Sequence, residues 1–103
     1  MSDIVLRRVT LLDVASVSAT GNWYKCDYRY APDQARTILG TMNASDAIFL
    51  EGTTDDADIT VSTIVTLETT SAATFAFNLF GPWSAIRIRK TGTNGAAVVK
   101  GII

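Results

Sequence analysis

Histidine is absent from this 103-residue chain, and cysteine occurs once, as Cys26. Without an imidazole, the Ser-His-Asp and Cys-His nucleophile systems have no base. One thiol and no histidine also fall short of the usual zinc ligand sets. A lone cysteine forms no internal disulfide, so nothing in the sequence implies an oxidising compartment. Charge of either sign is sparse, with 9 Lys and Arg against 10 Asp and Glu. Phosphate backbones are bound by clustered Lys and Arg in excess, so nucleic acid is not an expected partner. No apolar run approaches the roughly 20 residues of a membrane-spanning helix. The opening M-S-D-I-V-L-R-R-V-T lacks the layout of a signal peptide. The expectation is a soluble, non-enzymatic protein made in a cytoplasm, with no cofactor and no membrane partner.

What is present is β-strand chemistry. The stretch Thr74–Gly101 carries three strands with their turns. Phe75, Phe77 and Leu79 share one side of the first, because side chains alternate with a period of two. Gly81-Pro82 ends that strand, since proline cannot donate to a ladder. In the next run Ser84, Ile86, Ile88 and Lys90 face one way, and Trp83, Ala85, Arg87 and Arg89 the other. The turn 91–95 ends in Asn94-Gly95, which tolerates positive φ. A last strand runs from Ala96 to Ile103. Upstream, Asn22–Tyr30, Arg36–Met42, Ala47–Gly52 and Ile59–Leu67 read as further strands. The last alternates Ile59, Val61, Thr63, Val65 and Leu67 against polar residues. Some seven to eight strands and no long amphipathic helix predict an antiparallel β-sandwich or jelly roll, a single domain over residues 1–103. Its expected core includes Val61, Phe75, Phe77, Ile86 and Ile88.

The first fifteen residues fit the pattern least well. Between Asp3 and Val14 both strand faces are mixed. That suits either an arm covered on two sides by another subunit or a first strand broken by a bulge.

Three groups of residues have chemistry worth testing. Asp55, Asp56 and Asp58, with Glu51 nearby, offer oxygens to a hard cation such as calcium. The glycine and distal glutamate of an EF-hand loop are missing, which favours a solvated acidic turn. Trp83, Arg87 and Arg89 on one strand face have the composition of a protein interface. Trp23, Tyr24, Tyr28 and Tyr30 are either a sugar-stacking platform or a core cluster, and density favours the core. Cys26 shares a strand face with Tyr24, Tyr28 and Tyr30 and reads as a small buried hydrophobe.

The segments A-I-F-L-E-G-T-T-D-D (47–56) and F-G-P-W-S-A-I-R-I-R-K-T-G-T-N-G-A-A-V-V-K-G (80–101) resemble small virion proteins of tailed bacteriophages. Those chains have a strand ending in EGT or EGS plus Asp, a later G-W-x-x-I-R strand, a Gly-rich turn and a short valine strand. The resemblance implies a capsid decoration (cement) subunit on the virion surface. Such a subunit works as a homodimer or homotrimer and has the major capsid protein as its partner. Carbohydrate-binding modules share part of the pattern, which leaves glycan or host-receptor binding as the alternative. For the assembling subunit the expected interface is Ile4, Leu6, Arg7 and Arg8 of the arm with Trp83, Arg87 and Arg89. The apolar ending Ala96–Ile103 also asks for cover.

Overall fold

The computed structural model describes residues 8–26 and 36–102. Among the described residues, runs of threonine, valine and isoleucine, broken by small polar turns, form nine strands and no helix. They are β1 (Arg8–Val14), β2 (Ala19–Thr20), β3 (Tyr24–Lys25), β4 (Arg36–Thr41), β5 (Ala47–Thr53), β6 (Val65–Thr70), β7 (Thr74–Leu79), β8 (Ala85–Thr91) and β9 (Ala97–Ile102). Two antiparallel sheets result, as in a β-sandwich. Sheet A has the order β1-β9-β4-β7; sheet B has β2-β8-β5-β6, with β3 also pairing β8. The connection 15–18 takes the chain from the β1 edge of sheet A to the β2 edge of sheet B. The connection 71–73 returns it from β6 to β7 at the opposite edges.

The core lies between the sheets. Leu11, Leu12, Ile38, Phe77, Leu79 and Val99 enter it from sheet A; Ile48, Leu50, Ile86 and Ile88 enter it from sheet B. Burying each such side chain contributes about 1.5–3 kcal/mol. Tyr24 is half-buried against this core, with its hydroxyl donating to Thr10 O at 2.8 Å, and Cys26 is buried. That agrees with the core reading of both residues. Tyr28 and Tyr30 lie outside the described residues.

A bulge accounts for the mixed faces of the first strand. β1 pairs β9 from Arg8↔Ile102 to Thr10↔Lys100, then resumes at Leu12↔Val99. Leu11 is the extra residue, so the consecutive Leu11 and Leu12 both point inward. Between Arg8 and Val14 the chain is thus the bulged strand of the two readings. Ile4, Leu6 and Arg7 lie outside the described residues. Both edges of the apolar ending are covered within the chain, because β9 is an inner strand paired with β1 on one side and β4 on the other.

Two further expectations are corrected. The strand expected from Ile59 begins only at Val65, and Val61 sits in the preceding loop instead of the core. Ile59 is 79% exposed. Positive φ falls on Gly81 and Gly92 (98° and 105°), not on Asn94 or Gly95. A Cβ at Gly92 would lie 2.1 Å from Asp46 Oδ1, so this turn requires glycine for space as well as for conformation.

Candidate functional site

The charged side chains of sheet B gather around β8. It faces β5 in the register Phe49↔Arg89, Glu51↔Arg87 and Thr53↔Ala85, which places these residues on the outer face of the sheet. Arg87 Nε donates to Glu51 Oε1 at 2.8 Å, and Arg89 Nε donates to Glu51 Oε2 at 3.1 Å. One carboxylate therefore joins two arginines two residues apart. Each guanidinium also covers a ring, Arg87 over Trp23 at 4.6 Å and Arg89 over Phe49 at 4.1 Å from the centroid. The result is a ladder, Trp23–Arg87–Glu51–Arg89–Phe49, whose central carboxylate is nearly buried. Charge-assisted bonds and cation–π contacts reinforce one another here because the arginines shield the carboxylate from water.

The expected trio of Trp83, Arg87 and Arg89 is thus only partly brought together. Arg87 and Arg89 meet at Glu51, but Trp83 lies on the other side of the sheet. It packs half-buried against the core, and a Cβ on Gly52 would lie 3.2 Å from its ring. Gly52 pairs with Ile86 on the inward face. Trp83 Nε1 donates to Phe80 O at 2.9 Å, which turns the indole inward. The strand alternation breaks just before β8, where Ser84 is anchored on Thr53: its N–H bonds Thr53 O at 3.0 Å and its hydroxyl bonds the same oxygen at 2.8 Å. The tryptophan beside the arginines is Trp23, from the far side of β8.

The acidic turn folds over the end of this face. Asp55 Oδ2 accepts the Thr63 N–H at 2.8 Å and the Ser62 N–H at 2.9 Å. Those backbone bonds hold the Asp55 carboxyl below the usual carboxylate range. Thr53 Oγ1 donates to Thr63 O at 2.8 Å and accepts the Asp55 N–H at 3.0 Å. Asp56 Oδ1 accepts the Asp58 N–H at 2.9 Å, an Asx turn, and Asp58 pairs with Lys25 on the surface. The hydrogen bond that Lys25 donates to Asp58 raises the Lys25 amine above its ordinary value. These carboxylates diverge towards separate partners. Among the described residues no group of three or more acidic or thiol side chains is arranged to hold a metal ion.

A buried ion pair lies near the 91–95 turn. Lys90 follows the inward alternation of Ile86 and Ile88, and it is almost wholly buried. Its ammonium meets Asp46 Oδ2 at 3.3 Å and donates to Val17 O at 2.9 Å and Gly92 O at 3.0 Å. Asp46 Oδ1 accepts Asn94 Nδ2 at 2.7 Å and the Asn94 N–H at 3.1 Å, while Oδ2 accepts the Gly95 N–H at 3.2 Å. Burial pushes the Asp46 carboxyl up. The bonds from Asn94 and Lys90 outweigh that, and the net result lies below its ordinary value. This pair secures the turn and the 15–18 connection to one point. It has the completeness of a structural lock, with no group left over for chemistry.

The outer face of sheet A is different in kind. Alternation places Thr10, Val98, Lys100, Thr37, Leu39 and Ala76 there, with few charges and no ladder. Leu39 is 57% exposed. It lines a shallow depression of about 520 Å³ together with Ile102 and Thr37, flanked by Arg8 and Lys100. Of the expected arm residues, Arg8 alone is described, and it borders this depression. The composition of β4 and β9 foreshadows the face only once β9 is known to be an inner strand. Searches of protein-family models, of curated proteins and of solved structures found no match to this chain.

Proposed function

We propose that this chain is a non-enzymatic structural subunit of a tailed-bacteriophage virion, a decoration protein that docks on the capsid shell through the outer face of sheet A. The observation that carries the reading is the contrast between the two outer faces. On sheet B the charges and rings engage one another in the Glu51 ladder. On sheet A a face rich in threonine, with Leu39 exposed beside Lys100 and Arg8 at the β1 edge, is available for contact by area. Interfaces of standard size bury about 1,600 Å² in total, and a lattice repeats each contact many times. The resemblance of segments 47–56 and 80–101 to phage virion proteins supports the same reading. The arginines over Trp23 and Phe49 weigh against glycan binding, because each occupies a ring face on which a sugar would stack.

Immunogold labelling of particles made from the genome that encodes this chain tests the proposal. Regular label over the shell is expected. Unlabelled particles, or label confined to the tail, would overturn it. Leu39→Asp should remove the protein from the shell while leaving its thermal unfolding unchanged, since Leu39 is outside the core.

A further inference from the structure

The four lateral edges of the two sheets are not equally protected. β1 carries the Leu11 bulge and the charges of Arg8 and Asp13. The β2/β3 edge consists of two short pieces of two residues each, the second ending in Lys25. β6 has a register irregularity opposite Leu50 and Glu51, and it carries Glu68. Bulges, short strands and charges are the devices that keep sheet edges from pairing with other chains. β7 has none of them. Its six residues, Thr74–Leu79, pair β4 without irregularity and contain no charge, proline or glycine. Among the described residues no strand pairs its other side.

We propose that β7 is a dimerisation edge, which pairs antiparallel with the β7 of a second copy of this chain across a two-fold axis. The inference rests on the reading of the chain as an assembling subunit, and it names the edge through which it assembles. A second copy is the occupant because the strand is complementary to itself. Phe75, Phe77 and Leu79 face inward, and Thr74, Ala76 and Asn78 face outward. Only registers that keep this alternation continue the sandwich. The two of them that pair five of the six residues set Ala76 opposite either the Ala76 or the Asn78 of the second copy, and neither brings like charges together. Phe80, 57% exposed just past the strand, is the apolar side chain such a partner would cover. β6, with Glu68 and its irregularity, does not extend sheet B in the same way. Sheet A alone would run on as eight strands, β1-β9-β4-β7 and their mates, and a two-fold contact of this kind closes without polymerising. The face proposed to dock on the shell would thereby be doubled on one rigid sheet, so one subunit engaging raises the effective concentration of the other.

Light scattering on the eluting full-length chain at tens of micromolar should give twice the 11.1 kDa chain mass. The double variant Ala76→Lys with Asn78→Lys places like charges opposite in either register. It should raise the dimer dissociation constant about tenfold or more. Both side chains point outward, so its circular dichroism and melting temperature as a monomer should stay near those of the parent. Mixing it with the variant Ala76→Glu, Asn78→Glu should restore a dimer containing one chain of each, identified by native mass spectrometry. A monomeric parent would overturn the inference, as would a dimer insensitive to both charge variants or a failure of the mixed pair to form. Shell labelling with a monomeric parent would leave the decoration reading standing and remove β7 from it.

Discussion

Lys90 and Asp46 meet at 3.3 Å with both side chains fully buried, and the turn from Gly92 to Gly95 wraps around the contact. Removing one partner from a buried ion pair leaves an uncompensated charge, a loss of about 3–5 kcal/mol. Lys90→Met should therefore lower the urea midpoint strongly with little change in slope. The double variant Lys90→Met with Asp46→Asn should regain part of the loss, because the amide oxygen still accepts from the turn without carrying charge. Equilibrium urea unfolding of the parent, the single and the double variant measures both.

Gly92 joins the same lock for a steric reason. Its φ of 105° disfavours any side chain, and the space a Cβ would take is already filled by Asp46 Oδ1. Gly92→Ala should destabilise by more than the ~1–3 kcal/mol of a strained backbone alone. Gly81→Ala is the comparison, with a similar φ but its nearest contact at 3.3 Å, on Trp83. It should cost less, and a thermal melt of each variant decides the order.

Acid should weaken the fold through two carboxyls. Asp46 and Asp55 lie below their ordinary range when folded, so the unfolded chain binds protons more readily than the native one. Their contribution is complete above the unfolded value of about 4 and is lost as pH falls through the depressed folded values. Lys25 acts with the opposite sign. Its raised amine contributes below about pH 10, and that contribution is lost as pH rises through the folded value. Melting temperature against pH should thus fall below about pH 4, and Asp55→Asn should flatten part of that fall.

The Glu51 ladder predicts coupling between residues 51, 87 and 89. Glu51→Gln keeps the shape, removes the charge and leaves two guanidinium groups side by side. A loss of about 1.5–3 kcal/mol is expected from the charge-assisted bonds. A double-mutant cycle with Arg87→Met should show that the two changes are not additive, because Arg87 and Glu51 are in direct contact. Additive effects would mean that the ladder is decorative.

Local pattern made the strands legible. Ile86, Ile88 and Lys90 on one face and Arg87 and Arg89 on the other follow from alternation alone. The alternation even placed Lys90 inward; its partner, Asp46, lies across the fold in another turn, and no spacing rule links them. The place of Trp83 is hidden for a related reason: the period-two pattern of the sequence runs on past the start of β8, where Ser84 binds Thr53 and the chain no longer follows a strand. The segment 59–64 alternates like a strand, yet Asp55 ties up the N–H groups of Ser62 and Thr63. A side chain that competes for backbone donors overrides a period-two pattern. The bulge at Leu11 was one of two readings of a sequence with apolar residues on both faces, and only the register with β9 distinguishes them.

The pairing of Arg8 with Ile102 also sets how the domain bears load. β1 enters and β9 leaves at the same end of sheet A, side by side. A pull applied between residues 8 and 102 would part these strands one rung at a time, because the force runs along the hydrogen bonds of an antiparallel ladder. Unzipping of this kind resists weakly. A load carried through the proposed docking face of sheet A would instead be shared among all four of its strands.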